Sequence, residues 1–293
     1  MDKQVKFLSR ETAASWLPGR REDGHKGTFG KVCVIGGSVG LTGAPVLASK
    51  AAARTGSGLV FLGVPEEIYG ITAPLSLEVM TYPLPGREGR LSAEAFFRIQ
   101  EKLGACDAGL IGPGLGRNRD LSRLVSRLLE QVQIPLVVDA DALYAIREQK
   151  EILKHRREKG LVTVLTPHEG EFSYLGGNSR AERREGALEF ARTFGCILVR
   201  KGPGTLIADP EGNLYQNTTG NSGMAKGGSG DILGGMILSL LGQGLEPVRA
   251  AALGAWLHGC AGDLCKEEIG EYGMLPTDML ERIPEAIRRT QGG

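Results

Sequence analysis

Short apolar runs alternate with stretches of helical period along most of this chain. The runs do not alternate apolar and polar residues, so they predict strands that are buried on both faces. The stretches between them repeat apolar residues every three to four positions, as in RDLSRLVSRLLEQV, and they predict crossover helices. The pattern therefore predicts an α/β fold with a mostly parallel central sheet and helices on both faces. The strand-like runs are at 31–37, 58–65, 108–116, 135–141, 161–172 and 196–202.

The pattern changes after Lys201. The segment GTLIADPEGNLYQNTT predicts a β-hairpin around a Pro-Glu-Gly-Asn turn, and a glycine-rich loop, NSGMAKGGSGD at 221–231, comes next. Three helical stretches, which begin SGDIL, EPVRA and PTDML, complete the chain. No linker, charge block or fixed repeat divides the sequence. Residues 1–293 are thus predicted to form one domain, with the polar first 26 residues as a helix or arm against it.

Composition excludes several classes of function. The 293 residues are 41% apolar and 24% charged, which is enough for a sizeable core. A formal net charge of +1 gives no electrostatic reason to bind nucleic acid or an anionic membrane. No segment has the character of a signal peptide or approaches the roughly 20 apolar residues that cross a bilayer. Five cysteines without a CxxC pair argue against a disulfide framework and a structural zinc site, and they favour a cytoplasmic location.

The glycine loop at 221–231 ends on Asp231, where an apolar helix is predicted to start near Ser229 or Gly230. Glycines let backbone N–H groups approach a ligand closely, and the helix would direct its positive end to the same point. Such a site suits a phosphoryl group during transfer. A carboxylate there would repel bound phosphate, so we interpret Asp231 as a general base that takes a proton from an attacking hydroxyl. Alternatively, Asp231 caps the helix and the glycines serve close packing.

Two further glycine turns follow predicted strands. KGPGT at 201–205 could hold the phosphates of a nucleotide, or its base and ribose, or it could be only the turn into the hairpin. IGPGLG at 111–116 resembles a dinucleotide-binding turn, but its spacing is G-x-G-x-G rather than G-x-G-x-x-G. The glycine loop at 221–231 is not a Walker A loop, because GxxxxGK[ST] is absent.

Polar side chains also follow two predicted strands, at the edge where open α/β sheets bind ligands. Asp139 and Asp141 could orient a substrate or a hydrated magnesium ion, or could cap a helix. His168, which Glu169 and Glu171 follow closely, could contact a ligand or act as a cap. These residue types leave both alternatives open.

Seven stretches occur in the order found in the ADP/ATP-dependent NAD(P)H-hydrate dehydratases, and the chain resembles that family from about residue 8 to its end. The resemblance implies a three-layer ribokinase-like fold. The epimerase domain that is often fused upstream is not in this sequence, so the stand-alone form is expected. The seven stretches are HKGTFGKVCVIGGS, GAPVLASKAAARTGSGLV, IGPGLG, VVDADAL, LTPHEGEF, VRKGPGT and NSGMAKGGSGD.

This resemblance implies repair of a damaged nicotinamide cofactor. Its members dehydrate (6S)-NADHX or (6S)-NADPHX with ADP or ATP and Mg²⁺. Phosphorylation converts the C6 hydroxyl into a better leaving group, and elimination of phosphate restores NADH or NADPH. By resemblance, Asp231 activates that hydroxyl. A homotetramer that works with a separate epimerase is also implied.

The resemblance assigns two sets of ligand contacts. The hydrated cofactor would be bound by Ala44, Gly114, Gly116, His168 and Asp231. The nucleotide would be bound by Lys201, Gly202, Pro203, Gly204, Thr205, Asn221, Ser222, Gly223, Met224, Ala225, Lys226, Gly227, Gly228, Ser229 and Gly230. No arginine can be assigned to a 2′-phosphate from the sequence, so preference for NADHX or NADPHX stays open, as do ADP against ATP and the metal ligands.

Three alternative functions share parts of these features. A small-molecule alcohol kinase of the ribokinase-like superfamily would use Asp231 in the same way but would release a phosphorylated product. An NAD-dependent oxidoreductase would rest on the turn at 111–116 and would need no nucleoside di- or triphosphate. A nucleotide-binding regulatory protein would show no turnover.

Overall fold

The computed structural model describes residues 5–178 and 182–292. Residues 1–4, 179–181 and 293 of the predicted domain lie outside the described residues. The strands of the described part are β1 (Lys6–Phe7), β2 (Lys31–Ile35), β3 (Leu59–Pro65), β4 (Met80–Leu84), β5 (Gly86–Arg87), β6 (Arg90–Leu91), β7 (Ala108–Ile111), β8 (Leu136–Val138), β9 (Thr163–Leu165), β10 (Ile197–Arg200), β11 (Leu206–Ala208) and β12 (Leu214–Gln216).

Helices fill most of the segments between these strands. The α-helices of the described part are α1 (Arg10–Trp16), α2 (Gly43–Arg54), α3 (Glu66–Thr72), α4 (Phe96–Gly104), α5 (Arg119–Gln131), α6 (Asp141–Ile146), α7 (Glu151–Glu158), α8 (Glu169–Tyr174), α9 (Arg183–Phe194), α10 (Ser229–Gly242), α11 (Pro247–Ile269) and α12 (Pro276–Gln291). Short 3₁₀ turns occur at Ala73–Leu75, Ala93–Ala95 and Ser222–Met224. Within residues 5–178 and 182–292, no helix combines the length and apolar character needed to span a membrane.

One large sheet has the strand order β1-β12-β11-β10-β9-β8-β7-β2-β3-β4, and β5 pairs with β6 separately. Strands β10 to β4 are parallel to one another, whereas β11 is antiparallel to both of its neighbours. The chain leaves β2 through β3 and β4 and then returns to the other side of β2 as β7. The boundary between β2 and β7 is therefore the switch point of the sheet, where α/β proteins bind ligands beyond the strand ends.

The two faces of the sheet belong to two separate clusters of buried residues. Val32 and Val34 of β2 join a buried cluster with apolar residues of α2, α10, α11 and α12. Cys33 and Ile35 belong to a second buried cluster, with residues of α4, α5, α6 and α7. Because successive side chains of a strand point to opposite faces, this division places the helices in two layers around the sheet. The predicted mostly parallel sheet, buried on both faces, is confirmed.

Several elements differ from the sequence expectation. The stretch ALYAIREQKEILK forms two helices, α6 and α7, and TPHEGEF enters a helix directly instead of a polar loop. The pattern did not predict β4, the β5–β6 hairpin or α4. The polar N-terminal segment forms α1 and a short strand that pairs with β12. The division into one domain stays a prediction.

Glycine at position 235 lets α10 pack closely on α2. A Cβ built on Gly235 would overlap the carbonyl oxygen of Ala48. We expect Gly235→Ala to lower the free energy of unfolding by about 1–3 kcal/mol, the usual cost of overpacking. Gly70→Ala is the matched control, because a Cβ at this exposed position of α3 would have nothing within 4 Å. The control should raise stability by about 0.4–1 kcal/mol. Urea denaturation distinguishes the two results, and equal stability of both variants would contradict the packing argument.

Candidate active site

The glycine loop ends where predicted. Helix α10 begins at Ser229, its N-cap is Gly228 with φ of 102°, and Asp231 lies in its first turn. No side chain caps this helix. The carboxylate of Asp231 accepts no hydrogen bond from residues 5–178 or 182–292. The capping interpretation of Asp231 is therefore wrong, and its carboxylate is available for other contacts.

The surroundings of Asp231 favour its protonated form. Burial raises the pKa of this carboxyl group, the negative charge of Asp139 adds to the effect, and Lys201 opposes it, which leaves a pKa of about 7. An ordinary aspartate would be fully ionised at this pH and a weak base. A carboxylate with a pKa near 7 is better matched to proton transfer at neutral pH.

Lys201 lies at the centre of a group of acids. Its Nζ is 3.0 Å from Oδ1 of Asp139 and 3.6 Å from Oε2 of Glu171. A Cβ built on Gly230 would be 3.2 Å from the same Nζ, so the ammonium also adjoins the first turn of α10. Burial lowers the pKa of Lys201, but Asp139 and Glu171 outweigh it and the pKa is raised. The lysine is therefore a fixed positive charge that balances this cluster.

Asp139 and Asp141 do not cap α6, which has no side-chain cap. Asp139 is 1% exposed and accepts hydrogen bonds from Lys201 and from the backbone N–H of Ala140. Asp141 accepts from the N–H of Gly116 at 2.9 Å and from Arg117 at 2.7 Å. The first aspartate therefore holds Lys201, and the second fixes the turn after β7.

His168 does act as a cap. Its Nδ1 accepts from the backbone N–H of Glu171 at 3.2 Å, and Glu171 Oε2 accepts from the N–H of His168 at 2.8 Å. This reciprocal pair is a capping box at the start of α8. The histidine side chain is still 60% exposed. The cap therefore leaves the outer edge of the ring open to a ligand.

Arg183 of α9 holds the turn at 201–205. Its Nη1 donates to the carbonyl oxygens of Pro203 at 2.8 Å and Gly204 at 3.3 Å, and its Nη2 to those of Arg200 at 3.3 Å and Lys201 at 3.1 Å. Thr205 closes the turn through hydrogen bonds with both backbone groups of Gly202. These bonds fix the turn from behind. Sequence reasoning did not identify Arg183, which follows a polar segment with no periodic signal.

The side chains of the glycine loop are used to anchor it. Asp263 of α11 accepts from Gly220 N–H at 2.8 Å and from Asn221 Nδ2 at 3.0 Å. Lys226 Nζ donates to the carbonyl oxygens of Tyr272 at 2.8 Å and Met274 at 2.6 Å. The side chains of Asn221 and Lys226 therefore hold the loop in place.

Some backbone N–H groups of the same loop have no acceptor among residues 5–178 and 182–292. The N–H groups of Gly227 and Gly228 donate to no residue in the described part of the chain. They precede the positive end of α10 directly. Free N–H groups next to a helix N-terminus provide the donors that a phosphoryl group needs.

The predicted cofactor-binding glycines lie together at the switch point of the sheet. Ser38, after β2, donates its hydroxyl hydrogen to the carbonyl oxygen of Gly114 at 2.9 Å. A Cβ built on Gly114 would be 3.3 Å from the Cβ of Ala44. Gly116 has φ of 77°, and its N–H donates to Asp141, which follows β8. We call the space beyond β2 and β7 that these residues border the switch-point crevice.

The crevice and the glycine loop are neighbours. Ala44 lies in the first turn of α2, and Leu47 follows it one turn later. A Cβ built on Gly228 of the glycine loop would be 2.8 Å from Cδ1 of Leu47. Behind the loop, His258 is buried with its Nε2 3.3 Å from Ser229 Oγ, and burial lowers its pKa to about 4. His258 is therefore a packed residue of the interior. The described residues therefore place the glycine loop, the Asp231 carboxylate and the switch-point crevice side by side.

Comparison with known proteins gives consistent results. Residues 32–285 match the family described as NAD(P)H-hydrate dehydratase. A bifunctional NAD(P)H-hydrate repair enzyme of Moorella thermoacetica is 45% identical over 97% of this chain and 55% of its own length. An ADP-dependent (S)-NAD(P)H-hydrate dehydratase of Neisseria meningitidis is 39% identical over 86% of this chain and 82% of its own. The chain spans about half the length of the bifunctional relatives it matches.

A solved structure is similar over nearly the whole chain. The ADP/ATP-dependent NAD(P)H-hydrate dehydratase of Bacillus subtilis, co-crystallised with ATP and Mg²⁺, has a TM-score of 0.81 and 29% identity. The match covers 98% of this chain and 99% of that one. The ribokinase-like fold predicted from the sequence is confirmed by these likenesses.

Proposed function

Because this chain belongs to the NAD(P)H-hydrate dehydratase family, we propose that it uses ADP or ATP to convert (6S)-NADHX and (6S)-NADPHX into NADH and NADPH. One observation carries the proposal. The Asp231 carboxylate has a pKa of about 7, lies in the first turn of α10 and accepts no hydrogen bond from the described residues. It directly follows the free backbone N–H groups of the glycine loop.

The geometry supports phosphoryl transfer to an alcohol. Asp231 takes the proton of the C6 hydroxyl as its oxygen attacks the terminal phosphorus of the nucleotide. The N–H groups of Gly227 and Gly228 and the start of α10 stabilise the negative charge on the transferred group. The nucleotide leaves with one phosphate fewer. Elimination then breaks the C6–O bond and a C–H bond on the neighbouring ring carbon, which releases phosphate and a proton and restores the double bond of the reduced nicotinamide ring.

Magnesium is expected to arrive with the nucleotide. Within residues 5–178 and 182–292, no cluster of three or more metal-ligating side chains is present. Asp139 and Glu171, the carboxylates nearest to Lys201, are occupied by that lysine. This donor set fits Mg²⁺ that is held mainly by nucleotide phosphates and water, as is usual for this ion. When bound, the ion neutralises phosphate charge.

Recovery of reduced nicotinamide is the direct test. Chemically hydrated NADH or NADPH is incubated with the protein, Mg²⁺ and either ADP or ATP. Return of the absorbance of the reduced nicotinamide, with release of phosphate, supports the proposal. No recovery with either nucleotide would refute it, and accumulation of a phosphorylated dinucleotide would favour an alcohol kinase. Recovery without any nucleotide would exclude a nucleotide-driven mechanism.

The raised pKa of Asp231 predicts the pH dependence of this reaction. The base must be ionised, so kcat/KM should fall about tenfold for each pH unit below about 7 and level off above it. Initial rates at low substrate concentration between pH 5 and 9 measure this profile. A profile that is flat down to pH 5 would contradict the role of Asp231 as the base.

Oligomeric state, partner and location remain proposals based on the resemblance. We propose a homotetramer in the cytoplasm that receives the S epimer from a separate NAD(P)HX epimerase. Light scattering on the purified protein tests the first part, and a monomer at micromolar concentration would contradict it.

A further inference from the structure

Arg90, at the edge of the switch-point crevice, has no hydrogen-bond or ion-pair partner among residues 5–178 and 182–292. It lies on β6, in the small hairpin between β4 and α4. Its Nε is buried and donates no hydrogen bond, and the described residues form no ion pair with it. A buried charged donor without an acceptor is costly, so native proteins seldom retain one without a reason. A ligand that carries an acceptor would supply what the chain does not.

The hairpin that carries Arg90 is held against the crevice. The carbonyl oxygen of Gly89, at its turn, accepts from Val39 N–H at 2.8 Å, and the N–H of Gly89 donates to Glu67 Oε1 at 3.2 Å. Val39 belongs to the loop between β2 and α2, which also carries Ser38. Arg90 is therefore attached to the same loop that borders the crevice.

The guanidinium lies over one of the glycines assigned to the hydrated cofactor. A Cβ built on Gly116 would be 2.8 Å from Nε of Arg90 and 3.4 Å from Oγ of Ser38. A side chain at position 116 would thus occupy the space beside this cation. Nearby Arg117 differs, because Asp141 neutralises it at 2.7 Å.

Arg87 adds positive charge to the same hairpin. It is the cross-strand partner of Arg90, so the two side chains share one face. Like charges that face each other across a hairpin are destabilising, and a bound anion would relieve the repulsion. Glu67, which accepts from Gly89 N–H, and Glu94, which interacts with Arg87, offset part of this charge. The unpaired Nε of Arg90 is therefore the observation that indicates an anionic ligand.

We propose that Arg90 binds a phosphate group of the hydrated dinucleotide and thereby contributes to substrate selection. The inference rests on the proposed function for the identity of the ligand. The planar guanidinium matches phosphate oxygens and can donate two parallel hydrogen bonds. The dinucleotide carries such oxygens in its pyrophosphate, and NADPHX carries a further set in its 2′-phosphate. Both sources offer the same chemistry to Arg90.

Steady-state kinetics of Arg90→Gln with both substrates tests this proposal. Loss of a charge-assisted phosphate contact should raise KM about 10- to 100-fold and leave kcat within about threefold. An equal rise for NADHX and NADPHX assigns Arg90 to the pyrophosphate, and a rise for NADPHX alone assigns it to the 2′-phosphate. Unchanged KM values for both substrates, or a loss confined to kcat, would overturn the proposal. Arg98→Gln, on the exposed face of α4, is the matched control and should resemble the wild type.

A binding measurement separates this inference from the proposed function. NAD⁺ and NADP⁺, which carry the same phosphates and need no turnover, are titrated calorimetrically into wild type and Arg90→Gln. Weaker binding to the variant supports Arg90 even if the wild type shows no dehydratase activity. Equal binding to both proteins overturns it even if the activity is present. If Arg90→Gln does not fold, Arg90→Lys is tested in its place. The lysine keeps the charge but loses the bidentate geometry, so its affinity should be lower than that of the wild type without being abolished.

Discussion

Asp231→Asn is expected to lower kcat by about 100- to 10,000-fold, the range that a general base contributes. The amide cannot accept the hydroxyl proton, while the glycine loop and the turn at 201–205 are unchanged. ADP and ATP should bind as tightly as before or more tightly, because a negative charge next to the phosphates is removed. Single-turnover rates and calorimetric nucleotide affinities measure the two effects separately.

The same variant should be more stable than the wild type at alkaline pH. The folded-state pKa of Asp231, about 7, exceeds its ordinary value of 3.8, so folding disfavours the ionised form. The resulting penalty is small near pH 4, grows as pH rises and is complete above about pH 7. Removal of the charge should therefore raise the free energy of unfolding by about 1–3 kcal/mol at pH 8, after allowance for solvent screening. Little change is expected at pH 4.

Asp120→Asn is the matched control for both measurements. Asp120 also lies in the first turn of a helix, α5, but it is exposed, and its ion pair with Arg123 is long, at 3.4 Å. Its substitution should leave turnover unchanged and stability within about 0.5 kcal/mol. Near-normal turnover of Asp231→Asn would remove the central argument for the proposed function.

Lys201→Met is expected to lower the free energy of unfolding strongly and to shift the pH dependence of activity. It leaves Asp139, which is 1% exposed, and the half-buried Asp231 without the cation that balances them. Loss of one partner of a buried ion pair typically costs about 3–5 kcal/mol. Because Lys201 lowers the pKa of Asp231, the midpoint of the activity profile should also move above pH 7. Urea denaturation and pH–rate profiles give the two readouts.

A double substitution shows whether the unbalanced carboxylate causes the loss of stability in Lys201→Met. Asp139→Asn in the Lys201→Met background removes the unbalanced carboxylate and should recover about half or more of the lost stability, since interacting residues are not additive. Lys154→Met is the control, because this lysine lies on the surface of α7 and pairs with Glu151. Additive losses in the double variant would show that Lys201 contributes through packing alone.

The sequence was informative wherever apolar periodicity or glycine chemistry was strong. Strands β2, β3 and β7, the hairpin β11–β12 and the start of α10 lie where the pattern predicted them. The edge strand β4 was missed because MTYPL contains a proline and few buried residues. The strands β5 and β6 gave no signal because each is only two residues long, and Arg90 of β6 therefore stayed unassigned.

Long-range electrostatics were beyond sequence reasoning. Lys201 was predicted to contact the nucleotide, but its partners Asp139 and Glu171 lie 62 and 30 positions away in the chain. The three residues meet only because β8, β9 and β10 are neighbours in the sheet. Likewise, the bonds from Arg183 to the turn at 201–205 depend on how α9 packs. Local spacing identified the residues at the site and missed how their charges are balanced.

The anchors of the glycine loop have a consequence for synthesis of the protein. All strands of the sheet precede residue 217. The groups that hold the loop come 42 to 48 positions after the residues they bind, at Asp263, Tyr272 and Met274. Because the chain is made from its N-terminus, a nascent polypeptide contains every strand of the sheet before it contains α11, α12 and the segment between them, which cover one face of that sheet and hold the loop. Products that end before Asp263 are therefore expected to lack both a complete core and the proposed nucleotide site.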